Sequence, residues 1–202
     1  MGKIMIINGS PRAPKSNSKK YAELFAANCT VPTEYFFVTK QNHLELCQAM
    51  AGFTDVLLVF PLYADGIPVT LLNFLKVLEK NPPMQKPKVS VLINCGFIEP
   101  EQNDIAVKMI QLFCRTYGYP FGSVLRIGSG EAILGTPLKV FVTGKIKKLA
   151  SAVSAGRNES LRATMPIPKK MFLRASSSYW EDYGNKNGIT REQMATMEIE
   201  KE

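Results

Sequence analysis

The chain has 202 residues, 46% of them apolar, with 25 Lys and Arg against 17 Asp and Glu and a net charge of +8. That length suits one domain with a sizeable core and perhaps an extension. No apolar run approaches the ~20 residues that cross a bilayer, the N-terminal run is too short for an export signal, and "MGKIMI" lacks a myristoylation hydroxyl; the expectation is a cytoplasmic protein with no membrane insertion.

The pattern then alternates along the chain. "KIMII" reads as a strand apolar on both faces, as in a covered parallel sheet. "SKKYAELFAANC" places Tyr21, Leu24, Phe25 and Cys29 near helical spacing. "TEYFFV" predicts a second strand and "HLELCQAMAGF" a second helix. "DVLLVFPLY" is a third strand, and "PVTLLNFLKVLEK" a third helix with Pro68 in its first turn. "KVSVLINCG" is a fourth strand, "DIAVKMIQLFCRTYG" a fourth helix ending near Gly118, and "GSVLRIGSG" a fifth strand. "PLKVFVTGKIKKLASAVSAG" is a last amphipathic helix interrupted by Gly144. From about Thr164 the pattern stops, in a stretch punctuated by proline and serine with a charged end. Five strands alternating with five helices argue for an open, doubly wound parallel sheet.

Composition narrows the chemistry. The only histidine is His43, at a helix start, so a His-rich metal site is excluded and no metal is expected. The cysteines Cys29, Cys47, Cys95 and Cys114 form no C-x-x-C pair and read as small core residues. The segment 139–174 has nine Lys and Arg against one acid, Glu159, and so carries the whole net charge. Such a stripe attracts an anionic ligand, nucleic acid or membrane surface in some proteins, but is more often a solvated helix face. It has no RNA-binding aromatic pattern and no DNA-reading motif, so no nucleic acid is expected.

In an open parallel sheet, ligands bind beyond the carboxyl ends of the strands. Three loops there have unusual composition. "INGSPRAPKSNS" offers Ser10, Ser16, Asn17 and Ser18 beside a helix N-terminus, whose free N–H groups favour a phosphate. Arg12 adds a charge-assisted contact. The loop is neither G-x-x-x-x-G-K-[ST] nor G-x-G-x-x-G, and helix capping by Ser16 or Asn17 explains one of its residues but not the run. "FPLYADGIP" puts Leu62 and Tyr63 where a turn is usually polar, an edge for a flat aromatic ligand, with backbone N–H groups from Tyr63 to Asp65 at its rim. "NCGFIEP" has Gly96 for close backbone approach and Asn94 for donors and acceptors. Cys95 has no histidine in its motif to activate it, so it reads as a packing or lining residue.

Together, "NGSPR…SNS", "PLYADGIP" and the glycine turn after the fourth strand resemble the NADPH-dependent FMN reductase family of flavodoxin-like NAD(P)H oxidoreductases, over roughly residues 3–150. The resemblance implies an α/β, flavodoxin-like three-layer sandwich: a five-stranded parallel sheet of order 2-1-3-4-5 with helices on both faces, spanning residues 1–163, and a C-terminal extension of the same domain, 164–202. It implies that Ser10, Arg12, Ser16, Asn17 and Ser18 hold the FMN phosphate. Pro61, Leu62, Tyr63, Ala64 and Asp65 would line the isoalloxazine, and Asn94, Cys95, Gly96 and Phe97 would complete the pocket. FMN is the implied cofactor and NAD(P)H the co-substrate, with a small acceptor: a flavin, quinone, azo or nitro compound. The cofactor performs the hydride chemistry, so no catalytic side chain is named. The family also implies a homodimer. The aromatic-rich extension either packs on its own domain or reaches a twofold partner. The sequence departs from the family at "NCGF", where many relatives have a more glycine-rich turn, and at Ala13-Pro14-Lys15. An FMN-binding electron-transfer protein of the flavodoxin type, not using NAD(P)H, is the alternative; a flavin-binding regulatory module is a third.

Overall fold

Residues 4–8, IMIIN, are buried along their whole length. A strand apolar on both faces needs a covering layer on each side, and its neighbours repeat the demand. In the computed structural model of the chain, which describes residues 2–13 and 15–196, this segment is β1 (Ile4–Asn8), followed by α1 (Asn17–Ala26), β2 (Thr33–Phe37), α2 (His43–Ala49), β3 (Asp55–Pro61), α3 (Val69–Lys80), β4 (Lys88–Asn94), α4 (Asp104–Tyr117), β5 (Phe121–Ile127), α5 (Lys139–Ser154), β6 (Ser160–Ala163), α6 (Lys169–Lys186) and α7 (Arg191–Thr196). Pro14, in the first candidate loop, lies outside the described residues. The strands form one sheet in the order β2-β1-β3-β4-β5-β6, every pairing parallel.

Alternate side chains feed two cores. Met5 and Ile7, Val56, Leu58 and Phe60, and Val89, Val91 and Ile93 join Leu71 and Phe74 of α3 and Val107 and Ile110 of α4 in one cluster. The intervening residues, among them Ile6, Leu57 and Leu92, are also buried, on the side where α1 packs on β1 and β3 and α5 on β5. Helices therefore cover both faces, as expected. The chain leaves β1 toward β2 on one side and β3 on the other, so the sheet's switch point falls between β1 and β3, beyond their carboxyl ends.

The expected order 2-1-3-4-5 is present, but the sheet has six strands rather than five. Ser160–Ala163 adds to β5 with Val124 opposite Ser160 and Ile127 opposite Ala163. Four residues with Ser160 and Arg162 exposed give no apolar run to read. Gly144 does not break α5: it sits on an exposed position where a Cβ would meet nothing. Gly118 closes α4 at φ 71°, the left-handed cap that glycine accommodates.

The chain divides into two compact units at Met165/Pro166. In the second, the stretch without a sequence pattern forms α6 and α7. Ser177 and Ser178 satisfy their hydroxyls on the carbonyls of Leu173 (3.0 Å) and Arg174 (3.3 Å), one turn back, which lets a serine run stay helical. Tyr179 and Tyr183 stack along α6, each meets Trp180 edge to face, and all three are exposed.

Candidate functional site

Beyond the carboxyl ends of β1, β3 and β4 lies a cavity of about 670 Å³, within the usual range for small-molecule sites. Its first wall is the loop from β1 to α1. Asn8, fully buried, spends its whole side chain there: its amide donates to the Ser16 hydroxyl (3.2 Å) and the Tyr35 hydroxyl (2.9 Å), and its carbonyl accepts from the Ser10 N–H (2.9 Å). Ser16 is the N-cap of α1, accepting from the Lys19 N–H at 3.2 Å. Of the two capping candidates, the structure uses Ser16.

The serine hydroxyls of this wall share one property. Ser10 accepts from the Arg12 N–H (3.3 Å), Ser16 from Asn8 and Lys19, and Ser18 from the Asn94 side chain (3.3 Å). Each hydroxyl accepts from a protein donor and donates to nothing among the described residues, so its proton is available to a ligand. All three residues line the cavity, as do Arg12, Lys15 and Lys20. The open N-terminus of α1 adds the partial positive charge of its dipole. Lys19 pairs with Glu23 at 3.8 Å.

The second wall is the turn after β3. Leu62 donates its N–H to the Asn94 carbonyl at 2.8 Å, tying this loop to the end of β4. Tyr63 and Gly66 then exchange backbone hydrogen bonds of 3.1 and 2.9 Å, closing a two-residue hairpin with Ala64 at φ 44° and Asp65 at φ 57°. Both tip residues are left-handed, the conformation of a type I′ turn, for which Asn-Gly is the usual pair. The Tyr63 N–H is therefore occupied by the hairpin itself, unlike the rim of three donors that the sequence suggested. The Ala64 and Asp65 N–H groups have no partner among the described residues. Pro61, Leu62 and Tyr63 line the cavity; Ala64 and Asp65 form the tip and do not.

The third wall is the end of β4. Asn94, Cys95 and Gly96 line the cavity, whereas Phe97 does not and is half exposed. The Cys95 thiol approaches the carbonyls of Phe97 and Glu99, each at 3.7 Å, and accepts from the Asn103 amide at 3.4 Å. Burial pushes this thiol's pKa up, which keeps it protonated and suits a packing residue better than a nucleophile.

A fourth element is missing from the sequence reading: the loop after β5, which brings Glu131 to the cavity. Asn17 donates its side-chain amide to the Glu131 carbonyl (3.2 Å), and the buried Tyr21 hydroxyl donates to the Gly130 carbonyl (2.7 Å). A Cβ at Gly130 would lie 2.7 Å from Asn94 Cβ, so only glycine allows this loop to close on β4. Its sequence signal is the "GSG" that ends "GSVLRIGSG", a pair of glycines at the carboxyl end of a strand, outside the three loops of unusual composition. Lys15, Lys19, Lys20 and Glu23 are likewise cavity residues that the motif reading did not assign.

No family model matches the chain, and no curated protein matches it by sequence. Solved structures do match. An FMN-dependent NADH-azoreductase from Bacillus anthracis str. Ames Ancestor, in complex with FMN, superposes with a TM-score of 0.56 at 15% identity, over 76% of this chain and 100% of that one. A flavodoxin from Streptococcus pneumonia TIGR4 gives 0.55 at 12% identity, over 76% and 98%. An NAD(P)H:quinone oxidoreductase from Methanothermobacter marburgensis gives 0.53 at 14% identity, over 75% and 96%. At such identities the likeness is one of fold: the chain has a flavodoxin-like α/β fold.

Proposed function

We propose that the cavity holds FMN and that the chain is an NAD(P)H-dependent oxidoreductase acting on a small acceptor such as a flavin, quinone, azo or nitro compound. The observation that carries this reading is the set of three serine hydroxyls with protons to donate, gathered at the N-terminus of α1. Such a set matches a phosphomonoester. Arg12, Lys15 and Lys20 supply positive charge, and the apolar Leu62–Tyr63 edge with the bare backbone of Gly96 suits a flat ring. The donor set, the apolar edge and the volume fit FMN together. The absence of a second pyrophosphate-type loop in the sequence favours FMN over FAD.

When bound, FMN supplies the hydride-accepting chemistry. The chain's own task is positioning. Ser10, Ser16, Ser18 and Arg12 anchor the phosphate end. Leu62, Tyr63 and the turn at Gly96 would flank the ring and exclude water from it. The Ala64 and Asp65 N–H groups, unpaired among the described residues, would be donors for the ring's polar edge.

The same reading includes a homodimer that completes the walls. Ile105, Met109 and Leu112 recur at i, i+4 and i+7 of α4, and all are exposed. That spacing makes one apolar stripe, and Met109 Sδ lies beside Gly66 of the hairpin. Sedimentation at micromolar concentration tests this, with Met109→Glu expected to favour the monomer. The 202-residue chain is further proposed to work in the cytoplasm; among the described residues, no helix is long and apolar enough to cross a membrane.

The deciding experiment is the absorption spectrum of the purified protein before and after anaerobic NADPH. A bound flavin that bleaches, and that chromatographs as FMN after release by heat, is expected. Bound FMN that neither NADPH nor NADH reduces would establish the flavodoxin-type carrier instead, and FAD alone would overturn the cofactor assignment.

A further inference from the structure

Among the residues lining an otherwise basic cavity, Glu131 stands out. Glu23, the other carboxylate there, is paired with Lys19. The Glu131 carboxylate forms no ion pair or hydrogen bond among the described residues. A lone carboxylate in a phosphate-binding cavity works against the phosphate unless it has donors of its own to meet. Its position indicates which donors. The Glu131 backbone is held at the phosphate end, by Asn17 at the start of α1. Its carboxylate reaches the ring end, where Oε2 lies 3.7 Å from the point a Cβ on Gly96 would occupy. The residue thus spans the stretch between the two subsites. An ionised carboxylate only accepts hydrogen bonds, so a chain bearing hydroxyl groups is its natural ligand.

We propose that Glu131 is a specificity-determining residue that recognises the polyol linker between ring and phosphate, accepting hydrogen bonds from its hydroxyls. The proposal rests on the FMN reading and deepens it: the cavity selects a flavin by its sugar-alcohol chain as well as by its phosphate. The carboxylate's repulsion of the phosphate is offset by charge-assisted hydrogen bonds to the linker.

The test is a fluorescence titration of wild-type protein, Glu131→Ala and Glu131→Gln with FMN, with riboflavin (ring and polyol, no phosphate) and with lumiflavin (ring alone). Glu131 is exposed and holds nothing else in place, so the variants are expected to fold with an unchanged melting temperature. Glu131→Ala should weaken riboflavin roughly tenfold, weaken FMN by less because it also relieves the repulsion of the phosphate, and leave lumiflavin unaffected. Glu131→Gln, which keeps an acceptor without the charge, should lose less. An Ala variant that binds FMN as well as or better than wild type, with riboflavin unchanged, would mean that the carboxylate only repels phosphate and would overturn the proposal. Equal losses for lumiflavin and riboflavin would overturn it as well. Wild-type protein that binds no FMN would instead remove the cofactor assignment, and this inference with it.

Discussion

Asn94, the last residue of β4, donates its side-chain amide to the hydroxyl of Ser18 on the first turn of α1, at 3.3 Å and across 76 positions of sequence. Both residues are buried, and the same amide also reaches the Phe60 carbonyl at 3.3 Å. One side chain thus fixes the start of α1 against the ends of β3 and β4. Asn94→Ala leaves a buried hydroxyl and a buried carbonyl short of a donor, a loss of about 1–3 kcal/mol. The expected result is a lower urea midpoint with an unchanged slope, together with weaker flavin binding.

Arg12 is exposed and forms no ion pair among the described residues, yet it lines the cavity. Arg12→Ala should leave the urea midpoint where it is. Loss of a charge-assisted contact of about 1.5–3 kcal/mol should reduce FMN affinity roughly ten- to hundredfold. An unchanged dissociation constant in a flavin titration would take Arg12 out of the site.

Cys114 on α4 is fully buried, and burial pushes its thiol up from 9.0 to about 12. The folded state therefore holds the proton more tightly than the unfolded chain. Below pH 9 the thiol is protonated in both states and its stabilising contribution is complete. As pH rises from 9 toward 12, only the unfolded chain releases the proton and stability falls, by up to about 1.4 kcal/mol per pH unit from this group. Urea midpoints between pH 8 and 11 should decline more steeply for wild type than for Cys114→Ala.

Ala64 holds a left-handed conformation at φ 44°, which disfavours a residue with a Cβ by about 1–2 kcal/mol. Glycine removes that penalty but adds freedom to the unfolded chain, which takes back about 0.4–1 kcal/mol. Ala64→Gly should therefore stabilise the protein slightly, by roughly 0.5–1 kcal/mol in urea unfolding. A destabilised variant would show that the hairpin tip is not strained.

The sheet was legible because β1, β3 and β4 are apolar on both faces, a demand that only a sheet covered on both sides meets. β6 was not, since Ser160 and Arg162 face water and the strand exists only through its pairing with β5. α6 was hidden by its serines, whose hydroxyls are satisfied within the helix rather than by any pattern visible in sequence. Within the site, the β1–α1 loop was readable from its density of hydroxyls, but the capping role of Ser16 over Asn17 is a matter of geometry. The hairpin tip was unreadable for a related reason: Ala64 and Asp65 occupy a turn that usually demands Asn-Gly. Glu131 enters through the approach of Gly130 to Asn94, a contact between distant parts of the chain that no local pattern encodes.

β6 also bears on how this protein avoids sticking to copies of itself. Without it, β5 would end the sheet, and its seven residues, FGSVLRI, are nearly all buried: a long, apolar row of unpaired backbone groups inviting intermolecular pairing. β6 covers four of those positions, and the strand that then faces outward is short and carries Arg162, paired with Glu101 at 3.2 Å and Asp104 at 3.5 Å. A charged, four-residue border is a poor template for a growing fibril. Deleting 160–163 would turn a soluble edge into an aggregation seed, and would also take from the loop after β5 the Ala163 carbonyl that accepts from the Gly128 N–H at 2.8 Å.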